Sequence, residues 1–175
     1  EFTKRVLSAL GKIDILINNA GIIKDNLFVN MTDEDFTAVM NVNLRGVERM
    51  TRAIAPHMIE RRSGVILNAS SVVAPGNVGQ ANYAASKAAV ESMTVTWAGE
   101  FGKNGIRVNA VAPGFTDTQM VAGIPEHIKE RFLKRIPLGR YATPDEIARV
   151  YAFLASDDAS YITGAVIPVN GGFRV

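Results

Sequence analysis

Four short apolar runs, IDILIN at 13–18, VILNA at 65–69, IRVNAVAP at 106–113 and VIPV at 166–169, alternate with stretches of helical periodicity. This alternation constrains the chain more than any other feature of it. Runs so short and so continuously apolar read as strands buried on both faces, as in a parallel sheet. Parallel neighbours need crossover connections, and the segments between the runs can supply them as helices. Phe2, Val6 and Leu10 share one helical face that stops at Gly11. Thr32 opens a helical stretch that reaches Ile59, long enough to bend or divide in two, with Thr32 and Asp35 spaced as a capping box. A third helix is expected from about 81 to 102. Residues 115–142 are polar and broken by Gly123, Pro125 and Pro137, with a short helix over 126–135, and Pro144, Asp145 and Glu146 open the last helix. The expected fold class is α/β, a doubly wound parallel sheet forming one domain over 1–175, with ligands at the carboxyl ends of the strands.

Composition narrows the partners. Of 175 residues 19 are basic and 17 acidic, a net charge of +2 with no basic run, so neither nucleic acid nor a membrane surface is called for. Without cysteine, and with His57 and His127 far apart in sequence, a metal site is not expected. The chain has neither an apolar run of the ~20 residues a bilayer requires nor the layout of a signal peptide at its start, and a cytoplasmic protein is expected.

Tyr83 and Lys87 lie four residues apart in the first turns of the third helix, so their side chains rise from one face. A nearby ammonium and the positive end of a helix both favour a phenolate, which would bring Tyr83 towards the range a proton-transfer catalyst needs. Ser70 and Ser71 end the second strand, where either could hydrogen-bond a substrate carbonyl. Asn43 sits in an otherwise apolar helical stretch and needs a polar partner if buried. The turns Asn18-Asn19-Ala20-Gly21 and Pro113-Gly114 each leave the carboxyl end of a strand, where a nucleotide would lie.

Taken in order, NNAG at 18–21, Asn43 in NVNL, the serine before Tyr83, YAASK at 83–87, VNAVAPG at 108–114 and the closing Asn170-Gly171-Gly172 resemble the short-chain dehydrogenase/reductase family, along the whole chain. The resemblance implies a Rossmann-type fold and a nicotinamide cofactor, NADP or NAD, with NADPH favoured by the resemblance alone. It implies that Tyr83 gives a proton to the substrate oxygen, that Lys87 lowers its pKa and holds the nicotinamide ribose, that the serine fixes the carbonyl, and that Asn43 helps hold a water in a proton relay. Asn19, Ala20 and Gly21 would line the adenosine side. Pro113, Gly114, Thr116 and Thr118 would face the carboxamide and phosphate side, with Thr116 standing where the family usually has isoleucine. Strand geometry assigns the serine to Ser71, whereas counting back from Tyr83 gives Ser70.

Stretches such as GQANYAASK, IPLGR and FLASDDASYITG are most similar to the branch of the family that reduces 3-oxoacyl thioesters carried on acyl-carrier protein. For that branch Arg62, beside Arg61, would meet an acidic carrier near the site entrance, while Asn104, next to Lys103, stands at the second docking position. The family is commonly tetrameric, and Ala84, Ala88 and Val95 would give the Tyr83 helix an apolar contact face. The family's glycine-rich phosphate turn does not occur before Glu1. The expectation is therefore a fragment of a longer polypeptide, with roughly 70 further residues at about 30 per βαβ unit. The alternatives are a dehydrogenase of another secondary alcohol, such as a steroid or sugar, and a non-catalytic oligomerising module. Carbonyl reduction by Ser70→Ala and Ser71→Ala variants separates the two serines. Loss is expected in Ser71→Ala, and loss in Ser70→Ala with full activity in Ser71→Ala would reverse the assignment.

Overall fold

A computed structural model describes residues 1–119 and 126–173. Strands β1 (Ile15–Asn18), β2 (Gly64–Ala69), β3 (Ile106–Pro113) and β4 (Val166–Val169) form one parallel sheet in that spatial order. The register sets Asn18 against Asn68, Ala69 against Val111 and Pro113 against Val169, so the carboxyl ends of the strands finish together. Helices α1 (Phe2–Leu10), α2 (Asp33–Met40), α3 (Gly46–Arg61), α4 (Ala81–Phe101), α5 (Glu126–Leu133) and α6 (Pro144–Ala155) complete a Rossmann-type α/β architecture. None of the described helices is long and apolar enough to cross a membrane.

Successive strand residues point to opposite faces, and the sheet therefore builds two cores. Leu16, Ile66 and Val108 pack with Ile54 and Met58 of α3 and Ala98 of α4 on one side. Leu67 and Val111 meet Ile147, Tyr151 and Leu154 of α6 on the other. The first strand departs from the expected burial on both faces. Leu16 and Asn18 are buried, but Ile15 and Ile17 are 44% and 48% exposed. β1 is an edge strand hydrogen-bonded to β2 only, and α6 lies against β2 and β3.

The long helical stretch divides. Thr32 caps α2 by accepting the Asp35 N–H at 3.1 Å, and Asn41–Arg45 then form a π-helical turn before α3 continues. At the start of α6 a full capping box joins Thr143 and Glu146, with Pro144 in the first turn, where its missing N–H has no partner to lose.

A ladder of neutral polar groups fixes the carboxyl ends of β1 and β2. Asn18 Nδ2 donates to Asn68 Oδ1 at 2.8 Å and to Thr51 Oγ1 of α3 at 3.2 Å. Asn68 Nδ2 donates to Thr94 Oγ1 of α4 at 2.9 Å, and Thr94 Oγ1 donates to the Val90 carbonyl. All four side chains are buried, so removing one member strands its partners without water. Asn68→Leu is expected to lower unfolding stability by about 2 kcal/mol in urea titrations. A change below about 0.5 kcal/mol, the size usual for exposed positions, would show that the ladder is dispensable.

Candidate active site

The start of α4 is pinned from two sides. Asn82 Oδ1 accepts the Tyr83 N–H at 2.7 Å, while Asn82 Nδ2 donates to the Lys24 carbonyl at 2.9 Å. Gln80 Nε2 donates to Asp25 Oδ2, and the Asn26 N–H to the Gly79 carbonyl. These bonds tie the loop after β1 to the loop after β2 and set Tyr83 between them.

Lys87 lies one turn further along, 3% exposed. Its Nζ donates to the Ala69 carbonyl at the end of β2, 2.7 Å away, and stands 5.5 Å from the centroid of the Tyr83 ring. Burial lowers its pKa from the ordinary 10.5 to about 8. Tyr83 moves in the direction opposite to the one its neighbours suggest in sequence. Burial raises its pKa, a hydrogen bond with Ser71 offsets part of that, and the Asp25 carboxylate adds to the rise. Helix spacing does bring Lys87 to Tyr83, but taking the phenol out of water outweighs the favourable neighbours.

The two serines part company. Ser71 turns its hydroxyl to Tyr83, whereas Ser70 is buried and its Oγ donates to Glu91 Oε1 at 2.6 Å. Strand direction, not loop counting, therefore identifies the serine beside the tyrosine. Asn43 is fully buried in the π turn. Its Oδ1 accepts the Ile22 N–H at 2.8 Å, and its Nδ2 donates to the Ile22 carbonyl at 3.0 Å and to Ser86 Oγ at 3.3 Å. Its carboxamide clamps the turn after β1 and ties it to Ser86 of α4, so both of its N–H donors are engaged. A Cβ on Gly21 would lie 3.4 Å from Asn43 Oδ1 and 3.6 Å from Lys87 Nζ, which places the NNAG turn against the same centre.

Two cavities meet at Tyr83. One, of about 340 Å³, runs from Ser71 and Tyr83 over Val72, Val78, Phe115 and Phe132. The other, a groove of about 1050 Å³, is lined by Asn19, Ala20, Gly21, Lys87, Thr116 and Thr118, among others. Ser71, Tyr83, Pro113 and Gly114 border both. Every residue assigned from sequence to catalysis or cofactor except Asn43 thus lines a cavity, and Asn43 lies directly behind Gly21.

Arg62 is the exception on the substrate side. It caps α3 ahead of β2, at the amino end of the sheet, in the left-handed conformation with φ 54°. Its Nη2 donates to the Lys103 carbonyl at 3.1 Å beyond the far end of α4, roughly 27 Å of helix from Tyr83 at ~1.5 Å per residue. Within this chain Arg62 therefore stands apart from Tyr83, because the sheet puts strand starts and strand ends at opposite ends of α4. Arg61 is likewise bound to the Ile13 carbonyl and to Asp14. Sequence reasoning missed Asp25 and Gln80, which line the smaller cavity, and Tyr151, which lines the groove and whose buried hydroxyl has no partner among the described residues. Gln80 three residues before Tyr83 carried a usable signal. Tyr151 stands in an apolar helical stripe and carried none.

The family match and the relatives below mark the chain as an NAD(P)-dependent oxidoreductase acting on a hydroxyl or keto group. A family profile described as Enoyl-(Acyl carrier protein) reductase matches residues 1–174. The chain is 54% identical over 176 residues to the 3-oxoacyl-[acyl-carrier-protein] reductase FabG of Thermotoga maritima, an alignment covering all of this chain and 72% of that protein. Proteins of the same name from Staphylococcus epidermidis and Pseudomonas aeruginosa are 47% and 51% identical, over 98% and 93% of this chain and 71% and 66% of theirs. The chain belongs to the short-chain dehydrogenase/reductase family.

The depressed pKa of Lys87 makes stability depend on pH. Between about 8 and 10.5 the unfolded chain holds a proton that the folded chain has released, so stability rises with pH across that window and is lowest below it. In the cofactor-free protein the rise is expected to be on the order of 3 kcal/mol. It should vanish in Lys87→Met, and parallel denaturation curves for the two proteins from pH 7 to 10 would refute it.

Proposed function

We propose that the chain carries the catalytic centre for NAD(P)H-dependent reduction of a 3-oxoacyl thioester to its 3-hydroxyacyl form, with Tyr83 as proton donor. One observation carries the reading. Tyr83 and Ser71 border both an apolar cavity and a groove ending in Lys87 and the Asn19–Gly21 turn, so a carbonyl and a reductant reach the same hydroxyl from two sides. The names of the relatives, all 3-oxoacyl-[acyl-carrier-protein] reductases, support the substrate class.

The groove suits the nicotinamide end of the cofactor. Glycine at 21 leaves space beside the Lys87 ammonium, and Pro113, Gly114, Thr116 and Thr118 line the same groove. When bound, the nicotinamide supplies a hydride to the carbonyl carbon. Tyr83 gives its hydroxyl proton to the carbonyl oxygen, completing the alcohol and leaving a phenolate. The ammonium of Lys87 stabilises that phenolate, and its bond to Ala69 keeps it beside the ring. Ser71, which borders both cavities together with Tyr83, holds the carbonyl oxygen between the two hydroxyls, and a proton donor positioned in this way is worth about 10²–10⁴ in rate. Asn43 acts as a positioning residue by holding Ile22 and hence Gly21.

NADPH is the expected reductant and an acyl-carrier protein the expected thioester donor. The exposed Ala88 and Val95 on α4 offer a face for assembly into a tetramer, while Ala84 is buried inside the chain.

The test is reduction of a 3-oxobutanoyl thioester by wild type and Tyr83→Phe, with a 2-enoyl thioester and a simple secondary alcohol as alternative substrates. Turnover of the 3-oxo compound by wild type, a loss of about 10²–10⁴ in Tyr83→Phe and unchanged NADPH affinity are expected. Reduction of the enoyl compound instead, or oxidation of the alcohol with no action on the thioester, would overturn the substrate class.

A further inference from the structure

The segment after β4 reaches back to the site in a way that catalysis does not require. Asn170 closes a tight turn on itself: Nδ2 donates to the Phe173 carbonyl at 2.8 Å, Oδ1 accepts the Gly172 N–H, and the Asn170 carbonyl accepts the Phe173 N–H. On one side the turn presses on the floor shared by both cavities, since a Cβ on Gly114 would come within 2.8 Å of Asn170 Cα. On the other it presses on the stretch after α5, where a Cβ on Gly171 would meet Ile136 Cγ2 at 2.9 Å and one on Gly172 would meet Pro137 Cγ at 2.8 Å. The Leu138 N–H donates to the Gly171 carbonyl. The turn is a wedge between Gly114, which lines the smaller cavity, and the stretch that follows α5, the helix that supplies Ile128 and Phe132 to that cavity.

Phe173 is the tip of that wedge. It is buried, its ring meets Phe115 edge-on at 5.3 Å, and the Arg135 guanidinium lies 4.9 Å from its centroid. Phe115 in turn stacks on Phe132 of α5 at 4.3 Å and on Tyr141 at 5.6 Å. Phe115 and Phe132 line the cavity, and Phe173 does not. Such contacts matter for a helix of eight residues that is too short to hold itself.

We propose that Phe173 is a positioning residue for substrate, holding Phe115 and through it Phe132 as the wall against which the acyl chain rests. The role rests on reading the smaller cavity as the substrate site. Phe173 buttresses Phe115 edge-on while Phe115 stacks on Phe132 and Tyr141, and removing the Phe173 ring loosens α5 while leaving Ser71, Tyr83 and Lys87 in place.

Phe173→Ala and Phe173→Leu should be compared with wild type by steady-state kinetics on a 3-oxooctanoyl thioester, by NADPH titration and by hydrogen exchange. For Phe173→Ala the expected result is a KM raised about tenfold with kcat within about twofold, the signature of lost substrate binding. Cofactor affinity should be unchanged, exchange faster over 126–133 but not over 64–69, and Phe173→Leu should recover most of the KM. Unchanged exchange in α5, an unchanged KM, or an equal weakening of NADPH binding would each overturn the proposal. If wild type does not turn over the thioester, the substrate reading fails by itself, and the exchange measurement still decides whether Phe173 holds the wall.

Discussion

A lysine ammonium at 3% exposure has to be held by something, and here it is held by the last carbonyl of β2. The bond from Lys87 to Ala69 joins the helix that presents the tyrosine to the strand that presents the serine. The distance between those two hydroxyls then follows from backbone geometry and not from flexible side chains. Burial, not the neighbouring ammonium, sets the direction in which the Tyr83 pKa moves. The ammonium is drawn towards the strand, and burial dominates both groups.

Neutral amides do most of the remaining work of alignment. Asn18 and Asn68 lock two strands to Thr51 of α3 and Thr94 of α4, Asn43 fixes the turn after β1, and Asn82 fixes the start of α4. An uncharged side chain with two donors and an acceptor can bridge two elements without the desolvation penalty of an ion pair. Asn18, Asn68 and Asn82 lie where a strand or helix terminates at the site, and a shift in any of them would be felt at Tyr83.

Much of this was legible in the sequence because it depends on local rules. The four strands, the left-handed glycine after α1, the Thr32 cap and the Pro144 helix start all appear where residue patterns place them. The Tyr83–Lys87 pair was legible because four residues in a helix make one face. What escaped was whatever depends on the far side of the fold. Arg62 is next to β2 in sequence, but at its amino end, a whole strand length from the chemistry. The raised pKa of Tyr83 depends on enclosure by loops that meet only in three dimensions, and the reach of Phe173 to Phe115 spans nearly sixty residues.

The π-helical turn at Asn41–Arg45 has a consequence for how this stretch can vary. A π turn accommodates one residue more than an α-helical turn, so the faces of α2 and α3 are out of phase by about 100°. Deleting a single residue there would heal the helix and improve its hydrogen bonding, yet it would swing either Asn43 or the Ile54 and Met58 stripe away from its target. A chain that looks imperfect as a helix is therefore protected against becoming a better one: the irregular turn is a phase adjuster, and the regular helix is the damaged form.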